Sequence, residues 1–208
     1  MAKSETATTP ERRTRLNADV RRRLIVDAAF KVVAASGFEG LRTRDIADVV
    51  GINSATLHHH FPTKEDLVAG IAEELERRLR SEKTTAVGPK AATAIVALQC
   101  QFADAAFYRD ERPDLLIVYR EFVARAPRDP LIDKLVIGLN AGWKANVVTI
   151  LKRGVKDGSL RPDLNVPAAS EIVLNTIWGG LSRAPTNTES FRKACEELLR
   201  LLTHQPRS

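Results

Sequence analysis

From Asp19 onward, nearly every stretch of this 208-residue chain repeats its apolar residues at three- or four-residue spacing, and none alternates them in twos over a strand's length. A chain patterned this way buries its apolar surface by packing helix on helix, so the fold class is all-α. Val20, Leu24, Ala28 and Val32 set a first stripe, widened by Ile25, Ala29 and Val33. With Asp19 as N-cap and Gly37 as stop, they predict a helix over about 20–36. Thr43 caps a short second helix that Gly51 ends, and Asn53-Ser54 starts a third that Phe61-Pro62 closes. Thr63 and Asp66 form a near capping box, opening a fourth helix to about Thr85. After a break at Gly88-Pro89, helices are expected over about 91–108, 113–125, 131–156, 168–182 and 188–203. Turns fall at Pro127 to Pro130, Ser159 to Pro167 and Ala184 to Asn187.

Residues 1–18 are polar and aperiodic, and they cannot offset their ordering entropy by burial, so they are expected to form a disordered basic tail. The 44% apolar share suffices for a real core, while no apolar run approaches the ~20 residues that would place the chain in a membrane. MAKSETATTPERRTR has no apolar segment of the kind a signal peptide needs. Cys100 and Cys195 stand alone, which argues against a disulfide-stapled domain and for a reducing, cytoplasmic setting. Residues 1–64 carry 11 basic and 7 acidic side chains, four of the chain's six net positive charges. The excess lies at one end, where an anionic partner would sit.

That end also holds the most informative segment, Arg42 to Lys64, RTRDIADVVGINSATLHHHFPTK. Two short helices around the turn Val50-Gly51-Ile52-Asn53 have the anatomy of a helix-turn-helix. Leu57 and Phe61, four apart, hold the inner face of the second helix, with Ile46 and Ile52 between the two. The outer face then presents Ser54, Ala55, His58 and His59, small or polar as close approach to base edges requires. The expected organisation is the tail at 1–18, a three-helix DNA-binding domain at 19–64 and a larger helical domain at 65–208.

With Gly37, Thr43, Ile46-Ala47, Gly51-Ile52, Thr56-Leu57, Phe61, Lys64 and Leu67 in register, residues 23–71 resemble the DNA-binding domain of the TetR family of transcriptional regulators. Gly154, Gly158 and Leu160-Arg161-Pro162-Asp163, ahead of Ile177-Trp178-Gly179-Gly180-Leu181, are similar more loosely. The resemblance implies that Thr43 meets a phosphate at the start of the second helix. It implies that Asn53, Ser54, Ala55 and His59 approach bases, that His58, His60 and Lys64 hold phosphates, and that Arg44 and Thr56 complete the DNA-contacting set. The family commonly has Tyr where this chain has His58 and His60, which leaves open which histidine touches a base.

The resemblance also implies that the second domain provides a small-molecule pocket and a dimer interface. Phe102, Phe107, Tyr108, Phe122, Trp143 and Val147 are the pocket candidates, with plain core as the alternative. For the dimer, the candidates are Ile172, Thr176, Trp178, Gly179 and Gly180 with the stripe Phe191, Cys195, Leu198 and Leu202, whose alternative is again core. The implied protein is a repressor that binds a palindromic double-stranded operator as a homodimer and is released by a small apolar effector. Its recognition helices must meet grooves ~34–36 Å apart, and the helix from Thr63 is the expected lever.

An activator or an effector-independent DNA binder is the alternative. An enzyme is the remote one, because no Ser/His/Asp, Cys/His or paired-carboxylate arrangement falls at informative spacing. Neither cofactor nor metal is expected. Neighbouring helical side chains such as His58, His59 and His60 point ~100° apart and cannot share one ion. Arg12, Arg13, Arg15, Arg21, Arg22 and Arg23 form a basic run whose first part, Arg12 to Arg15, is expected along a minor groove or flanking phosphates, a solvated charge run being the plainer reading.

Overall fold

The computed structural model describes residues 10–81, 93–182 and 188–203, and every regular element among them is a helix. The chain forms two compact units, Met1–Arg77 and Arg78–Ser208. The division lies inside the fourth helix, beyond the expected boundary after Lys64. The helix's first turns belong with the first unit because Gly70 rests on Phe61 and Val26.

The first unit contains α1 (Pro10–Ser36), α2 (Thr43–Val50), α3 (Ser54–His60) and the first part of α4 (Lys64–Ser81). The helix α1 starts well before Asp19, so residues 10–18 of the expected tail are helical, while 1–9 lie outside the described residues. Pro10 suits a first helical position, and the following Glu, Arg and Leu residues are ready helix formers that extend a nucleated helix at little cost. The buried stripe is Ile25, Ala28, Ala29 and Val33 with Val26 and Phe30, whereas Val20 and Leu24, expected within it, are 55% and 50% exposed. One residue of shift turns a side chain by ~100°, which carries Leu24 off the face that Ile25 buries.

Thr43 is the first residue of α2 and does not cap it; Arg42 holds the N-cap position without a side-chain bond. Gly51 ends α2 in the left-handed region at φ 71°, and the Ile52 N–H reaches back to the Ala47 carbonyl at 2.9 Å. An added Cβ would meet nothing there, so the backbone angle is what calls for glycine.

The second unit contains α5 (Ala94–Glu111), α6 (Pro113–Arg125), α7 (Pro130–Asp157), α8 (Val166–Ser182) and α9 (Thr188–Leu202). Thr93 and Asp129 accept N-cap hydrogen bonds at the starts of α5 and α7. The helix α8 begins ahead of Pro167, which is tolerated in a first turn, and Asn165 Oδ1 accepts from the Ala168 N–H at 3.1 Å. As the hub, α7 packs on α5, α6 and α8. A Cβ on Gly154 would lie 2.7 Å from that of Ala94, so glycine lets α5 and α7 meet. Its last turns bury Val147, Ile150, Leu151 and Gly154, while Asp133 to Asn146 include no buried residue. The end of α4 expected near Thr85, the break at Gly88-Pro89 and the turn at Ala184 to Asn187 lie outside the described residues.

Candidate nucleic-acid interface

In α3, Leu57 and Phe61 are fully buried, as the four-residue spacing requires, and Ile46 and Ala47 of α2 are buried with them. The opposite side exposes Ser54, Ala55, His58 and His59, which at helical spacing share one surface. Arg44 and Lys64 are exposed, while Thr43 and Ile52 are half-buried.

Two of the expected contact residues are occupied in building the helix. Asn53 Oδ1 accepts from the Thr56 N–H at 2.7 Å and from the Thr56 hydroxyl at 2.9 Å. That bond satisfies one of the four donors a helix start leaves open, and it turns the half-buried Thr56 hydroxyl toward Asn53. At the next junction the capping box is complete: the Thr63 N–H donates to Asp66 Oδ2 at 3.1 Å, and the Asp66 N–H donates to Thr63 Oγ1 at 3.0 Å. Asp therefore serves where Glu or Gln is usual.

His60 differs from its two neighbours. It is half-buried, with its ring edge-on to that of His59 at 5.5 Å. Burial first, then the positive fields of His59, Arg21 and Arg22, hold its imidazole below the usual histidine range. It is thus a poorer cationic phosphate partner than its place in the sequence suggests. Sequence reasoning missed Arg22, which appeared there only within a charge run. Its Nη1 donates to the His60 carbonyl at 3.2 Å, and its guanidinium carbon stands 4.3 Å above the centroid of the Phe61 ring. An arginine 38 positions before its acceptor gives no local sequence signal.

In the second unit the pocket candidates separate into two groups. Phe102, Tyr108, Phe122 and Val147 are buried, with the Tyr108 hydroxyl donating to the Leu79 carbonyl. Burial pushes the Tyr108 phenol up to about 12. Phe107 and Trp143 are half-buried. Trp143 belongs to a cluster: its Nε1 donates to Gln101 Oε1 at 2.9 Å, Asn146 Nδ2 donates to the same oxygen at 3.2 Å, and its ring meets Trp178 at 4.9 Å. Tyr119 stacks on the Trp178 ring at 4.4 Å and donates to Asn140 Oδ1 at 3.0 Å.

The stripe on α9 expected at a dimer interface lies on the packed side of its helix. Phe191, Cys195, Leu198 and Leu202 are buried inside their own unit, where Gly180 lies against the Phe191 ring, and burial pushes the Cys195 thiol up to about 12. The outward side of α9 carries ion pairs instead, Arg192 with Glu189 and Glu196, and Arg200 with Glu197. On α8, Ile172 and Gly179 are exposed and Thr176 and Trp178 half-buried. Among the described residues no group of three or more His, Cys, Asp or Glu could hold a metal ion, and no helix is long and apolar enough to cross a membrane.

Residues 25–71 match the family described as bacterial regulatory proteins, tetR family. The HTH-type transcriptional repressor KstR2 of Mycolicibacterium smegmatis is 30% identical over 162 residues, covering 76% of each chain. KstR2 of Rhodococcus jostii is 29% identical over 168 residues, again 76% of each. A TetR transcription regulator from Haloarcula marismortui shares the fold at 19% identity, with a TM-score of 0.78 over 89% of this chain and 100% of its own.

Proposed function

The chain belongs to the tetR family of bacterial regulatory proteins and is a DNA-binding transcriptional regulator, and from that premise we propose that it is a repressor which grips a palindromic operator as a homodimer and is released by a small apolar effector. The observation that carries this reading is the two-sidedness of α3. Its apolar side is sealed in the first unit by Leu57 and Phe61, which leaves Ser54, Ala55, His58 and His59 to enter a major groove. Arg44 and Lys64 are exposed on the flanking helices and would meet phosphates. That the KstR2 relatives are named repressors supports repression over activation.

A second copy is needed because one two-turn helix reads too few base pairs for an operator. Ile172, Thr176 and Gly179 of α8 are the residues we assign to that contact, since the α9 stripe is occupied internally. For the effector we assign the half-buried cluster around Trp143 and Trp178, where a molecule can displace partly wet contacts, in preference to the sealed Phe122. Occupancy would weaken operator binding by the effector's preference for one spacing of the recognition helices over another, with α4, continuous from Lys64 to Ser81, as the lever.

Selection of duplexes from a random pool by the full-length protein at low ionic strength tests the reading. The expected product is a palindrome whose half-sites lie ~10–10.5 base pairs apart, or a multiple of that, bound by an even number of protomers. Failure to enrich any palindrome over random sequence would sink it.

A further inference from the structure

We propose that Arg22 is a positioning residue that sets the angle at which α3 is presented to DNA, acting on the C-terminal end of that helix and reading no base itself. The inference rests on the reading that α3 enters the duplex. A helix of only Ser54–His60 has more open terminal groups than internal bonds, so its direction depends on what holds its ends. Asn53 and Thr56 hold the first end. At the other, Arg22 makes three contacts from α1: Nη1 donates to the His60 carbonyl at 3.2 Å, the guanidinium covers the Phe61 ring at 4.3 Å, and Nη2 stands 3.9 Å from Glu73 Oε2 of α4. One planar group thereby joins α1 to the last carbonyl of α3 and a carboxylate of α4.

The chemistry suits arginine in particular. A cation at a helix C-terminus meets the negative end of the backbone dipoles. A guanidinium can donate in its plane and stack through its face at once, which an ammonium cannot. The surface under it is fixed, because Phe61 is fully buried and a Cβ on Gly70 would come within 3.0 Å of the ring. The ion pair with Glu73 is weak by itself, its side chains being 42% and 73% exposed, so it serves to aim the guanidinium. Because Ser54, Ala55, His58 and His59 ride on one short rod, a tilt misaligns all of them together.

The test uses the full-length protein and two probes, a duplex enriched from a random pool by the wild type and an unrelated duplex of equal length. Binding is measured well below the melting midpoint of every variant. Arg22→Ala is expected to weaken the enriched duplex at least about tenfold and the unrelated one less than about twofold, with an unchanged salt slope. Arg22→Lys, which keeps the charge and a donor, is expected to recover part of the loss. Equal loss on both duplexes with a slope lower by about one would make Arg22 a phosphate contact and overturn the proposal; so would no loss on either. In the DNA-free protein, Arg22→Ala is expected to speed amide exchange at His58 to Phe61 and leave Ile46 and Ala47 as they were. Unchanged exchange in α3 overturns the proposal whatever the DNA result, whereas a wild type that enriches no duplex, with exchange in α3 altered as expected, marks failure of the underlying reading of α3.

Discussion

Gly51, Asn53 and the Thr63–Asp66 pair fix the ends of α2, α3 and α4 through bonds spanning no more than five residues, whereas Gln101 reaches Trp143 and Asn146 across 42 and 45 positions. The first unit is a set of short rods whose stops are local, with Arg22 as a long-range polar tie. The second is a packing of long helices whose polar side chains find partners far away in sequence, among them Tyr119 with Asn140 and Arg120 with the Leu181 carbonyl. A locally stopped helix can keep its form while its outer residues change. A distributed network shifts as a whole when one member gains a new partner, which is the behaviour an effector site requires.

The strongest way to separate the two regions is to open each core in turn. Phe61→Ala and Phe122→Ala each remove a fully buried ring, and each is expected to cost about 3–5 kcal/mol. Both tryptophans, Trp143 and Trp178, lie in the second unit. Tryptophan emission during urea unfolding should therefore report the Phe122 variant and pass over the Phe61 variant, whose loss appears in DNA binding and far-ultraviolet dichroism.

A milder break targets the distributed network. Gln101→Leu removes the oxygen that serves two donors, and about 1–3 kcal/mol of stability is expected to go with it. The same change should alter tryptophan emission in the folded protein. Its local counterpart is the α3 cap, where Asn53→Ala is expected to cost about 1 kcal/mol and Asn53→Ser to restore most of it.

The smallest effect is the dependence on pH through His60. Because burial and the nearby Arg21 and Arg22 hold its imidazole below the usual value of 6.5, the unfolded chain binds the proton more readily than the folded one. This contribution to stability is therefore full above pH 6.5 and is lost as pH falls through the depressed value. An NMR titration should find the His60 ring titrating below 6.5, and His60→Gln should flatten that part of the stability profile.

Legibility in the sequence followed the same division. The stop of α2, both ends of α3 and α6 and the Thr63–Asp66 box are written in residues beside them, and the structure places them where the spacing puts them. The start of α1 is not legible, because ready helix formers extend a nucleated helix back from Asp19 with no apolar period to mark it. Its stripe holds at Ile25, Ala28, Ala29 and Val33 and fails at Val20 and Leu24, since Leu24 and Ile25 are alike in hydropathy and only tertiary packing selects between them. On α9 the heptad-like stripe was visible, but periodicity cannot say whether an apolar face meets its own unit or another chain. Of the candidate interface, the outward four of α3 were readable from period alone. The engagement of Asn53 with Thr56 and the reach of Arg22 depend on side-chain geometry.

The Asn53 cap limits how the protein's preference for one duplex could be rewritten. Its oxygen holds the backbone at Thr56, so altering Asn53 to suit a new base pair would loosen the rod that carries every other letter. Ser54, Ala55, His58 and His59 carry no such duty among the side-chain hydrogen bonds described. A designer or an evolving lineage can thus respell these four while keeping the grammar supplied by Asn53 and Thr56.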